Sequence, residues 1–214
     1  MIIHQIWLGS NKRPDIWMDN VKTFCEKYLH TYMLWTEDNL IELKNKKYYD
    51  IMTAYCGKAD IVRYELLYKY GGLYIDADMV IVNEERFNMI ITKFENSEYD
   101  ILIGKEPDTR YIANSIMFAR ANCSFLKKVI SAIPYRDFTK NVYKITGPCL
   151  ITDIYNDISR RSKKKVKVYD SNVFFPEGWK KKRNVTEHTK INFNPESVTF
   201  QYGYSTNGLA DLIT

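Results

Sequence analysis

Ala59-Asp60-Ile61-Val62-Arg63-Tyr64-Glu65-Leu66-Leu67-Tyr68-Lys69-Tyr70-Gly71-Gly72-Leu73-Tyr74-Ile75-Asp76-Ala77-Asp78 passes within one short stretch from the pattern of a helix to that of a strand. Ala59, Val62, Leu66 and Tyr70 recur at spacings of three and four, which predicts an amphipathic helix with one buried face. Gly71-Gly72 ends it, because glycine tolerates the positive φ that a helix C-terminus asks for. Leu73-Tyr74-Ile75 is an apolar strand, and it delivers Asp76 and Asp78 to its end. Strand ends in α/β sheets open into the ligand crevice. Residues i and i+2 of an extended strand point the same way, so both carboxylates can approach one cation. Oxygen ligands of this kind suit Mg²⁺ or Mn²⁺, which commonly take substrate phosphates as further ligands. Asp60 and Arg63, three residues apart, share a helix face away from the apolar stripe. Spacing alone makes them a surface ion pair or a pair that binds phosphate and sugar hydroxyls.

Outward from this stretch, strand and helix patterns alternate, which predicts an α/β domain with a mixed central sheet flanked by helices. Upstream, Ile2 to Leu8 reads as a first strand, Asp15 to Leu29 as a helix and Tyr32 to Trp35 as a strand. Downstream, Asp100 to Gly104 and Ser115 to Ala119 read as buried strands, and Ser124 to Ile133 and Cys149 to Ser159 as helices. Phe174-Phe175-Pro176 and Phe200-Gln201-Tyr202 are expected as short late strands. With neither an internal repeat nor a linker, residues 1–214 are expected to form one domain.

The 214 residues are 45% hydrophobic and 27% charged, the balance of a globular protein rather than a disordered one. The formal charge is +5, but ten basic residues lie in Arg160 to Lys167 and Lys180 to Arg183, and without them it is −5. The basicity is local, so nucleic acid is not an expected partner; contact with a polyanionic acceptor or an anionic membrane surface is the alternative use for the two runs. Cys25, Cys56, Cys123 and Cys149 have no paired spacing, which predicts neither zinc nor disulfides. No apolar run approaches the roughly 20 residues that cross a bilayer, and Met1 to Gly9 lacks a basic leader, so a cytoplasmic protein is expected.

The same stretch, with Ile3-His4-Gln5-Ile6-Trp7-Leu8-Gly9, Leu34-Trp35-Thr36, Asn114-Ser115-Ile116 and Thr146-Gly147-Pro148, resembles the DXD sugar-binding glycosyltransferases. That family includes mannosyltransferases and bacterial capsular-sugar transferases, with the catalytic domains of large clostridial toxins as distant relatives. The chain is also similar in size to the compact first domain of a glycosyltransferase encoded by chlorella viruses. The resemblance covers roughly the first 150 residues. It implies a GT-A fold and a metal-dependent, retaining transfer of a hexose from a nucleotide-diphosphate sugar to a glycan hydroxyl, with UDP favoured over GDP. It also implies roles: Trp7 stacking on the base with Leu8 beside it, Asp60 and Arg63 holding the donor sugar, and Asn114 lining the donor site. Asp76 would contact the ribose, sugar or metal shell, and Asp78 would ligate Mn²⁺ or Mg²⁺. The family usually completes the metal site with a histidine near a Ser-Trp pair. Here Phe200 to Asn207 has none, which leaves His188, Ser205 or Asn207 for the role.

Asp76-Ala77-Asp78-Met79-Val80 also fits the first motif of HAD-type phosphatases, with Asp76 as nucleophile. That alternative calls for a downstream acidic pair, commonly G-D-x-x-x-D, which residues 100–214 do not contain, and for a motif on the domain's first strand. P-loop, dinucleotide, zinc-protease and serine-hydrolase motifs are absent from the sequence.

Overall fold

The computed structural model describes residues 1–177 and 184–209; the side chains of Glu187, Ser205 and Thr206 are outside the description. The basic run Lys180 to Arg183 therefore lies outside the described residues. In chain order the main elements are β1 (Ile2–Ile6), α1 (Asp15–Lys27), β2 (Thr31–Trp35), α2 (Lys46–Ile51), α3 (Tyr55–Tyr70), β3 (Gly72–Ile75), β4 (Met79–Ile81) and α4 (Glu84–Glu95). They continue with β5 (Ile101–Lys105), β6 (Ile112–Ala119), α5 (Ser124–Ala132), α6 (Val142–Ile145), α7 (Pro148–Asp157), α8 (Arg160–Lys163), β7 (Val166–Tyr169), α9 (Ser171–Phe174), β8 (Thr199–Gln201) and α10 (Tyr204–Asn207).

Six strands make a mixed sheet in the order β2-β1-β3-β6-β5-β7. β1 runs parallel to β2 and β3, and β6 is antiparallel to both of its neighbours, β3 and β5. Side chains alternate between the faces as a two-residue period requires. Leu73, Ile75, Leu102 and Phe118 pack under α1 and α4 with Phe24, Phe87 and Ile91. Tyr74, Ile101, Ile103 and Met117 point the other way, against Ile61, Leu66 and Leu67 of α3, with Leu126 and Leu150 beyond. Both faces are therefore covered, the expected state of a sheet with parallel pairs. A second ribbon pairs β4 with β8 in antiparallel register, Val80 opposite Phe200.

Three expectations change. Helix α3 is not amphipathic: every residue from Asp60 to Leu67 is buried, because α5 and α6 cover the side turned away from the sheet. Asp76-Ala77-Asp78 is a turn rather than extended strand, closed by Met79 N–H donating to the Asp76 carbonyl at 3.1 Å. Phe174-Phe175-Pro176 is no strand: Phe174 ends α9, Phe175 follows it, and both rings fill the core beside Gly104. Val166–Tyr169, at the end of the first basic run, is an edge strand parallel to β5, and a lysine within it, Lys167, is a common way to protect such an edge. All four cysteines are unpaired.

At the α3–β3 junction Gly71 and Gly72 adopt φ of +67° and +100°. A methyl group on Gly72 would lie 2.4 Å from the Ile2 carbonyl oxygen, so β3 meets β1 only without a side chain there. His4 reports on the same contact. Trp35 Nε1 donates to its Nδ1 at 3.1 Å, which makes Nε2 the protonated nitrogen donating to the Gly71 carbonyl at 3.0 Å. Burial lowers the His4 pKa and keeps the ring neutral.

Candidate active site

β1 and β3 are parallel neighbours, so the chain leaves both at the same sheet edge. Trp7-Leu8-Gly9 and Asp76-Ala77-Asp78 emerge side by side there. α3 brings its N-terminal half to the same place, and β8 closes it from the other side. The result is a cleft with two compartments. The first, about 130 Å³, has walls from Trp7, Leu8, Tyr55 and Tyr204. The second, about 380 Å³, is lined by Asp60, Glu106, Asn114, Tyr143 and Gln201. Arg63, Asp76 and Asp78 line both and stand at the joint.

Asp60 and Arg63 are buried at 5% and 4% exposure, so the surface reading of this pair fails. Their ion pair measures 3.2 Å, and Arg63 also reaches Asp76 at 3.0 Å and the Asn114 carbonyl at 2.6 Å. The guanidinium lies over the Tyr74 ring, 4.2 Å from its centre. Asn114 donates to Asp60 at 2.7 Å and to the Tyr64 hydroxyl at 2.8 Å; Thr146 donates to the second Asp60 oxygen at 2.9 Å. Burial pushes Asp60 up to about 6 against the pull of Arg63 and these donors, while Asp76, Tyr74 and Asp60 together hold the Arg63 pKa above its ordinary value despite its burial. Every polar arm of this network is fixed before anything binds, as preorganised recognition requires.

Asp76 accepts from the Tyr74 hydroxyl at 2.7 Å. Its second oxygen and one oxygen of Asp78 converge on the same donor, Gln201 Nε2, at 3.3 and 3.2 Å. The other Asp78 oxygen takes the Tyr204 N–H at 2.7 Å. Burial first, and then the charge of Asp76, push Asp78 up to about 6. Two carboxylate oxygens aimed at one point, held now by a single amide, fit a hard divalent cation. Among the described residues no third His, Cys, Asp or Glu joins them. The remaining ligands would be phosphate or water oxygens, the habit of Mg²⁺ and Mn²⁺.

His188 is not brought to the aspartates. Its Nδ1 and backbone N–H both meet the Tyr202 hydroxyl, whose ring stacks on Trp17 at 4.4 Å away from the cleft. Asn207 donates to the Tyr202 carbonyl at 2.7 Å and lines neither compartment. The Ser205 side chain lies outside the described residues. Gln201, which follows Phe200 in β8, stands where one of these was expected. Trp7 is half-buried, edge-on to Tyr204 at 5.4 Å, with its indole N–H on the Asn11 carbonyl. Leu8, buried, supplies apolar wall. Glu106, on the β5–β6 loop, has no motif around it and only the fold brings it in. It accepts from the Tyr143 hydroxyl in a short hydrogen bond and from Thr109. The acidic pair that a phosphatase would add near Asp76 is not assembled among the described residues.

Known proteins share part of this chain's sequence and its fold. Residues 14–96 match the model for the glycosyltransferase sugar-binding region containing DXD motif. Inositol phosphoceramide mannosyltransferase 3 of Schizosaccharomyces pombe is 36% identical over 85 residues, 36% of this chain and 24% of that protein. The chain thus aligns with about a quarter of that relative's length. A crystal structure of a glycosyltransferase involved in glycosylation of the major capsid of PBCV-1 superposes with a TM-score of 0.58 at 14% identity, over 99% of this chain and 97% of that one. The PaToxG glycosyltransferase superposes with a TM-score of 0.54 at 19% identity, over 77% and 72%. Among the described residues no helix is long and apolar enough to cross a membrane. The fold is that of the GT-A glycosyltransferases, and residues 14–96 match the glycosyltransferase sugar-binding region that contains the DXD motif.

Proposed function

We propose that the chain is a metal-dependent retaining glycosyltransferase that moves a hexose from a nucleotide-diphosphate sugar to a glycan hydroxyl. The observation that carries this is the order of the cleft: an aromatic compartment, then two convergent carboxylates, then a polar compartment. That order matches base, diphosphate and sugar along one donor. Trp7 and Tyr55 line the first compartment and offer faces to a base, and the family resemblance favours UDP over GDP as the nucleotide. Asp60, Arg63 and Asn114 offer fixed acceptors and donors to sugar hydroxyls.

Charge supports the metal. The larger compartment holds four carboxylates, Asp60, Asp76, Asp78 and Glu106, against one guanidinium, Arg63. A diphosphate would be repelled from it without a cation. Asp78 and Asp76 would hold Mn²⁺ or Mg²⁺, which supplies neutralisation of the negative charge developing on the departing diphosphate. In the transfer itself the bond from the sugar's anomeric carbon to the phosphate oxygen breaks. The acceptor oxygen bonds to that carbon on the same face, and its proton passes to the departing phosphate oxygen. Arg63, locked by Asp60 and Asp76, keeps the sugar side of the cleft in register.

Calorimetric titration of UDP, GDP and UDP-glucose in Mn²⁺ and then in EDTA tests the reading. The expected result is binding of UDP that EDTA removes and that Asp78→Ala abolishes in a protein of unchanged circular dichroism. Absence of nucleotide binding, or Mn²⁺-dependent affinity that survives Asp78→Ala, would overturn it.

A further inference from the structure

A second cleft, of about 380 Å³, adjoins the polar compartment and is not used by the donor reading. One wall divides the two. Tyr143 lines the polar compartment while Lys144, the next residue, lines the second cleft; Pro148 and Cys149 divide in the same way. Across this wall the Tyr143 ring meets Tyr111 edge-to-face at 5.5 Å, and its hydroxyl carries the hydrogen bond to Glu106. The floor of the second cleft is therefore mechanically tied to a carboxylate beside the proposed sugar site.

The chemistry of this cleft is opposite to that of its neighbour. Arg110, Arg136, Lys140 and Lys144 line it, against Asp137 and Asp153. Both acids are already engaged. Asp153 pairs with Arg136 at 2.8 Å, and Asp137 accepts from Thr139 at 2.6 and 3.0 Å with Lys140 3.7 Å away. Arg136 is further pinned by the Lys144 carbonyl at 2.5 Å. Among the described residues, Arg110 and Lys144 have no carboxylate in an ion pair, and the Arg110 guanidinium lies over the Tyr111 ring at 5.4 Å. Two positive charges remain uncompensated in a concave site whose shape is fixed by the paired ones. At its rim Tyr135 is 89% exposed, a large flat ring of the kind that stacks on sugars.

We propose that this cleft is the acceptor's anion subsite: it takes a phosphate group carried by the acceptor sugar, so that an acceptor hydroxyl is presented across Tyr143 to the donor. A phosphate matches the donors here, the Arg110 guanidinium over the Tyr111 ring and the Lys144 ammonium in the same cleft. The inference rests on the transferase reading for the word acceptor, but not for binding.

The test is an NMR titration of the isotope-labelled full chain with mannose 6-phosphate, mannose and inorganic phosphate at about 0.15 M NaCl. UDP with Mn²⁺ is titrated in parallel. Mannose 6-phosphate is expected to shift the amides of Arg110, Tyr111 and Lys144 with a Kd below about 1 mM. Mannose should not shift them, and inorganic phosphate should do so at least roughly tenfold more weakly. The double variant Arg110→Glu, Lys144→Glu should weaken mannose 6-phosphate by roughly tenfold or more while UDP still binds. The single variant Lys144→Gln serves if the double one folds poorly. Unshifted cleft amides, unchanged affinity in the variants, or mannose binding as well as its phosphate would overturn the proposal. Inorganic phosphate binding as tightly would make the cleft a free-anion site instead. Loss of the UDP signal alone would refute the transferase reading and leave the anion site standing.

Discussion

Asp60 is a carboxylate at 5% exposure that folding must desolvate, and its surroundings only partly compensate. With its pKa raised to about 6 from 3.8, the folded chain binds more protons than the unfolded one between those values. Lowering the pH through that window therefore stabilises the fold, and the cost of the buried charge is fully present above it. Relative to Asp60→Asn, wild type is expected to gain on the order of 2 kcal/mol as pH falls from about 7 to about 4, read by urea unfolding at each pH. A parallel pair of curves would show that Arg63 keeps Asp60 ionised throughout. Glu106 raises a different question, because its neighbours Tyr143 and Thr109 donate to one oxygen and the side chain lines the sugar compartment. If it orients the incoming hydroxyl, Glu106→Gln lowers kcat/KM for acceptor by roughly tenfold to a hundredfold with Mn²⁺-dependent UDP affinity within a factor of about two. Equal losses in UDP affinity would assign Glu106 to the donor instead.

At the scale of elements, the α3–β3 junction does most to place the site. Gly72 lets β3 pair with β1, and that pairing sets Trp7 beside Asp76. Gly72→Ala combines a strained φ of +100° with a 2.4 Å contact to backbone, and backbone cannot swing aside. A loss on the order of 3 kcal/mol is expected in denaturant unfolding, against about 1 kcal/mol for Gly208→Ala, whose φ of +59° also disfavours a side chain but where a methyl group meets nothing within 4 Å. The helix, the two glycines, the strand and the aspartates were all legible in the sequence because each follows from local rules of spacing and φ. The burial of Asp60 and Arg63 was not, since it depends on α5 and α6 closing over α3 from more than fifty residues away. Gln201 and Glu106 were illegible for the same reason: an amide in a three-residue strand and a carboxylate in a loop carry no local signal. His188 was singled out by residue type alone, and packing against Tyr202 sends it elsewhere.

For the molecule as a whole, the cleft is a joint between two parts of the chain. The six-stranded sheet and the helix α3 packed on it supply Trp7, Asp60, Arg63 and Asp76, while the β4–β8 ribbon and α10 supply Gln201 and Tyr204. What holds the second part down is a small cluster of its own, in which Trp17 of α1 stacks on Tyr202 and donates to the Val185 carbonyl at 2.9 Å. Tyr202 N–H in turn donates to the Asp78 carbonyl at 3.0 Å, and Tyr204 N–H to its carboxylate. Trp17 is thus linked to Asp78 through two backbone bonds although it lines neither compartment. Trp17→Ala removes a fully buried indole and is expected to cost about 3–5 kcal/mol. Because the loss falls on the ribbon rather than on the sheet, Mn²⁺-dependent UDP affinity should drop by roughly tenfold even at temperatures where the variant remains folded. Calorimetry beside a thermal unfolding curve separates the two effects. Undiminished affinity in a folded Trp17→Ala protein would mean that the turn between β3 and β4 positions the aspartates without help, and that the ribbon only covers them.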